Sequence, residues 1–156
     1  MADIHIDDFF QDCAHILLKL YGHFPRKDAL YVDDIADCDP ADEYGIPSER
    51  HMACYQAMLW LAEEGYLRYE DRIGFSGLDQ VTLTEKAFLK LVTPLNAALT
   101  EESTSPLIIS LQQATFAEQL RQAISAGTPY RMREALSHLW PDVLPSHALN
   151  IVTDKD

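Results

Sequence analysis

The stretch Glu64-Gly65-Tyr66-Leu67-Arg68-Tyr69, followed after a polar turn by Gln80-Val81-Thr82-Leu83-Thr84-Glu85-Lys86-Ala87-Phe88-Leu89-Lys90-Leu91, decides how this chain folds. A helix that arrives at Glu64 stops at Gly65, because glycine is the residue that most readily follows a helix end. Residues 66–69 alternate apolar and polar side chains, as a half-exposed strand does. Residues 75–79 can turn back, and residues 80–83 alternate again. Thr84 then offers a hydroxyl that can accept from a free amide in the first turn of a new helix. The local order is helix, two-stranded hairpin, helix.

Working outward, Ile6, Phe9, Phe10, Cys13, Ile16, Leu17 and Leu20 recur at spacings of three and four. They place one apolar stripe on a helix over residues 6–21. Gly22 and Pro25 end it, and residues 30–32 read as a short extended run. Asp33 is placed to cap a brief second helix that ends by Pro40, and residues 39–47 read as a loop. Ser48 opens a third helix that runs to about residue 64. Beyond the hairpin, Pro94 disfavours helical backbone at Thr93, so the helix after the hairpin kinks or stops there. Residues 101–106 form a polar boundary. Residues 112–126 make an amphipathic helix ended by Gly127. Thr128-Pro129 supplies a cap and a first helical position for a last helix over residues 130–140. Phe116, Leu120, Ile124, Leu136, Leu139 and Trp140 form the apolar faces of this pair.

The order over residues 6–92 resembles the winged helix-turn-helix superfamily. The run Leu83-Thr84-Glu85-Lys86-Ala87 resembles the L-T-x-x-G wing-to-helix turn of MarR- and PadR-like repressors, with Ala87 where that pattern has glycine. The fold class expected is mainly α with a small antiparallel β wing. It is a winged-helix domain over residues 1–100 with a C-terminal helical hairpin over residues 106–145, which serves as a packing extension or a dimer contact. The resemblance implies a binding module, and in its commonest form a regulator that binds DNA as a dimer.

Charge argues against DNA as the partner. The net charge is −13, which repels phosphate and anionic membrane surfaces. Residues 1–47 carry eleven carboxylates against Lys19, Arg26 and Lys27. In a DNA-binding winged helix the third helix reads base edges, so its outer face should carry Arg, Lys, Asn or Gln. Here Met52, Tyr55, Met58, Leu59 and Ala62 share the core side, and Glu49, Arg50, Ala53, Ala57, Trp60 and Glu64 collect opposite. Arg50 is the one base on that face, with Gln56 and His51 on its flanks. Arg68 and Arg72 of the wing complete the DNA-contact candidates, each beside Glu70 or Asp71. Trp60 has two readings: core beneath the C-terminal helices, or an aromatic anchor for a protein partner, since aromatics are enriched at interface hot spots.

The acidic run Asp33, Asp34, Asp37, Asp39, Asp42, Glu43 has no base within it. As an EF-hand loop it fails, because the glycine and glutamate positions hold Asp42 and Ser48. It reads as a solvated loop or as a docking surface for a basic protein, with Asp33, Asp37, Asp39, Asp42, Glu43 and Trp60 as the interaction candidates. His51 and Cys54 stand one turn apart and could share a metal, but no further ligands follow from spacing, and both read as packing residues. No P-loop, dinucleotide, serine-hydrolase or zinc-protease motif occurs. No cofactor, metal or catalytic residue is therefore expected. Three cysteines without a CxxC pair fit a reducing compartment. No signal peptide and no bilayer-length apolar stretch is visible, so the expected location is cytoplasmic.

The function expected is non-enzymatic. It is an acidic winged-helix protein acting on a basic protein or on a second copy of itself, as a regulatory subunit, adaptor or inhibitor (immunity-type) protein. The alternative is a dimeric winged-helix transcription regulator.

Overall fold

α1 spans Ile4–His23, with Cys13, Ala14, Ile16, Leu17 and Leu20 along its buried stripe. The computed structural model describes residues 4–94 and 115–143. The chain divides into two compact units, Met1–Val92 and Thr93–Asp156, and each is described by itself. In the first unit, β1 (Asp28–Tyr31) follows α1, then a 3-10 turn at Val32–Asp34, α2 (Glu49–Glu63), β2 (Leu67–Arg68), β3 (Asp71–Ile73), β4 (Gly77–Leu83) and α3 (Glu85–Val92). The architecture is mainly helical with one small antiparallel sheet.

β4 is the centre of that sheet. β1 pairs with it on one side, and β2 and β3 pair with it on the other. Leu67 faces Leu83 and Arg68 faces Thr82, so the expected hairpin is present. It is longer than the hydrophobic alternation indicates. Asp71–Ile73 also pairs, with Ile73 opposite Gly77, and the chain turns at residues 74–76, closed by the Ser76 amide donating to the Ile73 carbonyl. The expected turn at residues 75–79 is thus corrected, because Gly77, Leu78 and Asp79 already belong to β4. Gly77 is where β1 and β4 come closest, and a Cβ there would run into the Leu30 carbonyl. Between Asp28 and Leu30 the register with β4 shifts, beside Gln80, whose φ is 51°. That is the geometry of a bulge, which lets Leu78 and Val81, three residues apart, both turn inward.

The helix-to-hairpin corner is tied by one side chain. The Thr84 hydroxyl donates to the Gly65 carbonyl at 2.6 Å and accepts from the Ala87 amide at 3.3 Å, which caps α3 as its sequence position indicates. Gly65 has φ 82°, the left-handed conformation that lets the chain leave α2 sharply. The Thr84 amide donates to the Tyr66 carbonyl, and Lys86 reaches both the Glu64 carbonyl and the Tyr66 ring. At the other end of α2, Ser48 accepts from the His51 amide as expected of a cap. Asp33 does not cap a helix. Tyr31 holds that position without a side-chain bond, and the 3-10 turn covers only three residues. Ile16, Leu20, Tyr55, Leu59, Leu67 and Leu83 are all buried, as their spacing predicts.

In the second unit, α4 (Phe116–Ala126) and α5 (Pro129–Leu136) pack against each other. Thr115 and Thr128 cap them, accepting from Glu118 and Arg131. Phe116, Leu120, Leu136 and Leu139 are buried, while Ile124 and Trp140 are half-buried. α5 ends at Leu136 rather than continuing to Trp140, and the chain turns there. The expected helix from residue 112 is corrected, because Thr115 is extended and its cap starts the helix at Phe116; the expected boundary at residues 101–106 and Pro145 lie outside the described residues.

Thr84→Val keeps the shape of the side chain and removes both corner bonds. It is expected to lower unfolding free energy by about 1–3 kcal/mol in a urea titration, whereas Thr84→Ser, which keeps the hydroxyl, stays close to the native value. A Thr84→Val chain as stable as the native one would mean that the corner bonds do not hold this junction.

Candidate functional site

Arg50 leaves the first turn of α2, where Ser48 has just capped the helix, and turns toward α1 while staying partly exposed. Its Nη1 and Nη2 donate to the two oxygens of Asp12 at 2.7 and 2.6 Å, and its Nε lies 3.7 Å from Asp8. Asp12 is only 2% exposed, on the buried side of α1. The hydrogen bond to Asp12 holds the guanidinium more strongly protonated than usual, against the opposing effect of burial, and the charges of Asp12 and Asp8 add to it. This two-pronged pairing is the geometry for which arginine is suited. The residue expected to be the single base on an exposed reading face instead ties α1 to α2.

What remains outward on α2 is Glu49, Ala53, Gln56, Trp60, Glu63 and Glu64, and Ala57 is buried. Trp60 meets the Phe9 ring of α1 edge-on at 5.2 Å and keeps 37% exposure. Gln56 is exposed but has an acidic or apolar neighbour at each turn. Arg68 and Arg72 are exposed on β2 and β3. A hydrogen bond to Tyr69 holds the Arg72 guanidinium more strongly protonated, and the Tyr69 and Tyr55 phenols reinforce it. Lys27 pairs with Glu70 at 2.9 Å, and Arg26 lies 3.9 Å from Asp28.

The acidic run divides into two kinds of residue. Asp34 pairs with Lys19 at 3.3 Å. The Asp42 carboxylate accepts from the Tyr44 and Ile46 amides through one oxygen, each at 2.9 Å, so it shapes the loop while remaining exposed. Asp33, Asp37, Asp39 and Glu43 are exposed, and no ion pair among the described residues reaches them.

Three large apolar side chains in the loops are exposed: Tyr44 81%, Ile46 60% and Phe75 60%. Ile46 stands two residues before the Ser48 cap. His51, one turn later, lies with Nε2 2.7 Å from the Phe75 carbonyl; a carbonyl only accepts, so Nε2 carries the proton. The Phe75 ring meets Tyr55 edge-on at 6.0 Å, and the Val32 amide donates to the Ser76 carbonyl. Isolated aromatics in loops have no periodicity, so no sequence signal joins Phe75 to Tyr55.

His51 and Cys54 do not come together as ligands, because His51 is turned to the hairpin and Cys54 is buried. Among the described residues no group of three His, Cys, Asp or Glu could hold a metal, and no helix is long and apolar enough to cross a membrane. Cys13, Cys38 and Cys54 are free thiols. Burial pushes Cys13 well above the usual thiol range, with the Asp12 and Cys54 charges adding to it, and pushes Cys54 up to about 12, aided by Asp12. Burial also raises Cys38, with Arg50 opposing. No family model, curated protein or solved structure matches this chain.

The thiolate is the reactive form. In the native protein near pH 8, a disulfide reagent is therefore expected to modify Cys38 first and to leave Cys13 and Cys54 protected until denaturant is added. As pH rises toward 12, Cys54 gains thiolate and its protection falls. Three thiols reacting together in the native protein at pH 8 would mean that α1 and α2 do not enclose Cys13 and Cys54.

Proposed function

We propose that this chain is a winged-helix protein that works by binding a basic protein through the carboxylates Asp33, Asp37, Asp39 and Glu43, and that it is not an enzyme. The element order and the placing of β4 between β1 and β2–β3 support the winged-helix reading. The observation that carries the functional reading is the engagement of Arg50 with Asp12. It leaves the outer face of α2 without a base, while Asp33, Asp37, Asp39 and Glu43 meet no ion pair among the described residues. Like charges crowded in a short segment repel one another, and a basic surface offsets that cost. Three free thiols fit a reducing compartment, as in the cytoplasm.

A DNA-binding regulator, dimeric through the C-terminal helices, is the second reading, favoured by the same element order. Gln56, Arg68 and Arg72 are its exposed contacts. Its difficulty is the number of phosphates it can neutralise, which sets non-specific affinity.

The test has two arms. A selection from random duplexes is expected to return no sequence. A palindrome bound near ~10⁻⁸ M, in the range of specific complexes, would overturn the proposal. In the second arm, a basic partner captured from native extract is titrated against the native chain and against a variant with Asp33, Asp37 and Asp39 changed to Asn and Glu43 to Gln. The variant should associate about tenfold more slowly at low salt, with little change in dissociation. Equal association rates would remove these carboxylates from the interface.

A further inference from the structure

We infer that the outer face of the sheet binds the phosphate group of a small ligand between Arg68 and Lys27, with the Thr82 hydroxyl beneath it. Val81 and Leu83 are buried in the core, so Thr82 between them points to the opposite face. Thr82 is nonetheless only 4% exposed, and among the described residues its hydroxyl has no hydrogen-bond partner. A buried hydroxyl left unpaired costs free energy, and few native groups carry that cost without a ligand, ion or water to meet them. Arg68 stands directly opposite Thr82 in the pairing of β2 with β4, so the two side chains share a face. Arg68 is exposed, and no ion pair among the described residues reaches it.

The third group comes from the other side of β4. Asp28 pairs with Val81, which brings Lys27 level with Thr82. The Lys27 ammonium donates to Glu70 at 2.9 Å, and Glu70 lies across β4, its amide donating to the Asp79 carbonyl. The bridge therefore passes over β4 beside Thr82. Both of its ends are half-exposed, and an exposed pair of this kind holds weakly, so Lys27 swings aside at little cost and opens the hydroxyl to a ligand. Three donors then meet one tetrahedral anion: a planar guanidinium that grips two oxygens, an ammonium point charge and a hydroxyl. Charge selects a small ligand over nucleic acid. One phosphate needs only these two cations, whereas a duplex needs many phosphates neutralised, and the strand positions that follow are the acids Glu70, Asp71 and Asp79. The inference stands apart from the protein-binding reading, and its failure leaves that reading untouched.

The probe is inorganic phosphate. Backbone amide and arginine side-chain resonances of the full chain are followed by heteronuclear NMR during a phosphate titration at constant ionic strength, with chloride as the control. Saturable shifts are expected at Lys27, Arg68 and Thr82 in phosphate and not in chloride. Arg68→Gln and Thr82→Val should each weaken binding about tenfold, and Thr82→Ser should keep it. Thr82→Val, which loses an unpaired hydroxyl, should melt at or above the native temperature, so its weaker binding is not a loss of fold. Shifts that rise without saturating, that chloride reproduces, or that survive unchanged in both variants overturn the inference. A short DNA duplex that displaces phosphate from the same three residues with higher affinity overturns the small-ligand assignment and favours the DNA-binding reading.

Discussion

Asp12 carries its carboxylate where water is excluded, and Arg50 is what makes that position tolerable. Taking a carboxylate out of water costs several kcal/mol, and its attraction to the partly exposed Arg50 roughly returns it, so the pair adds little net stability. Its effect is on geometry. A two-pronged bond between α1 and the first turn of α2 admits one register of the two helices. A slip of one residue in either helix would leave a buried charge without a partner. The apolar stripes of α1 and α2 supply the burial, and the ion pair decides how they meet.

The other end of α2 is fixed by different means. Gly65 turns the chain out of the helix, and Thr84 bonds back to it while capping α3. The sheet is thereby hung from the end of α2, and the turn at residues 74–76 returns to the start of the same helix through His51. Each end of α2 meets the hairpin, once at its base and once at its tip. A functional consequence follows from this closure. The base on α2 is used for internal assembly, and the hairpin tip is held against the first turns of α2, where Phe75 meets His51 and Tyr55.

Periodic features were legible from the residues alone. The stripe of α1, the caps at Ser48, Thr84 and Thr128, and the burial of Ile16, Leu59 and Leu83 all follow from spacing and from local hydrogen-bonding chemistry. β3 was not legible, because Asp71 and Arg72 face water and only Ile73 is partly covered, so hydrophobic alternation fades there. The role of Arg50 was partly legible. Asp12 stands three residues after Phe9 and four before Ile16, inside the apolar stripe, and an acid in that position requires a partner. Which base reaches it depends on the crossing of two helices, which no local pattern encodes. The contact of Phe75 with His51 and Tyr55 was illegible for the same reason, since the hairpin tip and α2 are distant in sequence.

A double-mutant cycle on Asp12 and Arg50 tests this account most directly. Unfolding free energy is measured for the native chain, Asp12→Ala, Arg50→Ala and the pair. Arg50→Ala leaves the buried Asp12 carboxylate without its partner and should cost about 3–5 kcal/mol, whereas Asp12→Ala leaves the partly exposed Arg50 beside Asp8 and should cost less. The double change removes both charges and should cost clearly less than the sum of the two, with a coupling of about 1–3 kcal/mol. Additive losses, or an Arg50→Ala chain as stable as the native one, would contradict it. Arg50 would then be free to face a ligand, and the outer surface of α2 would regain the base on which DNA recognition depends.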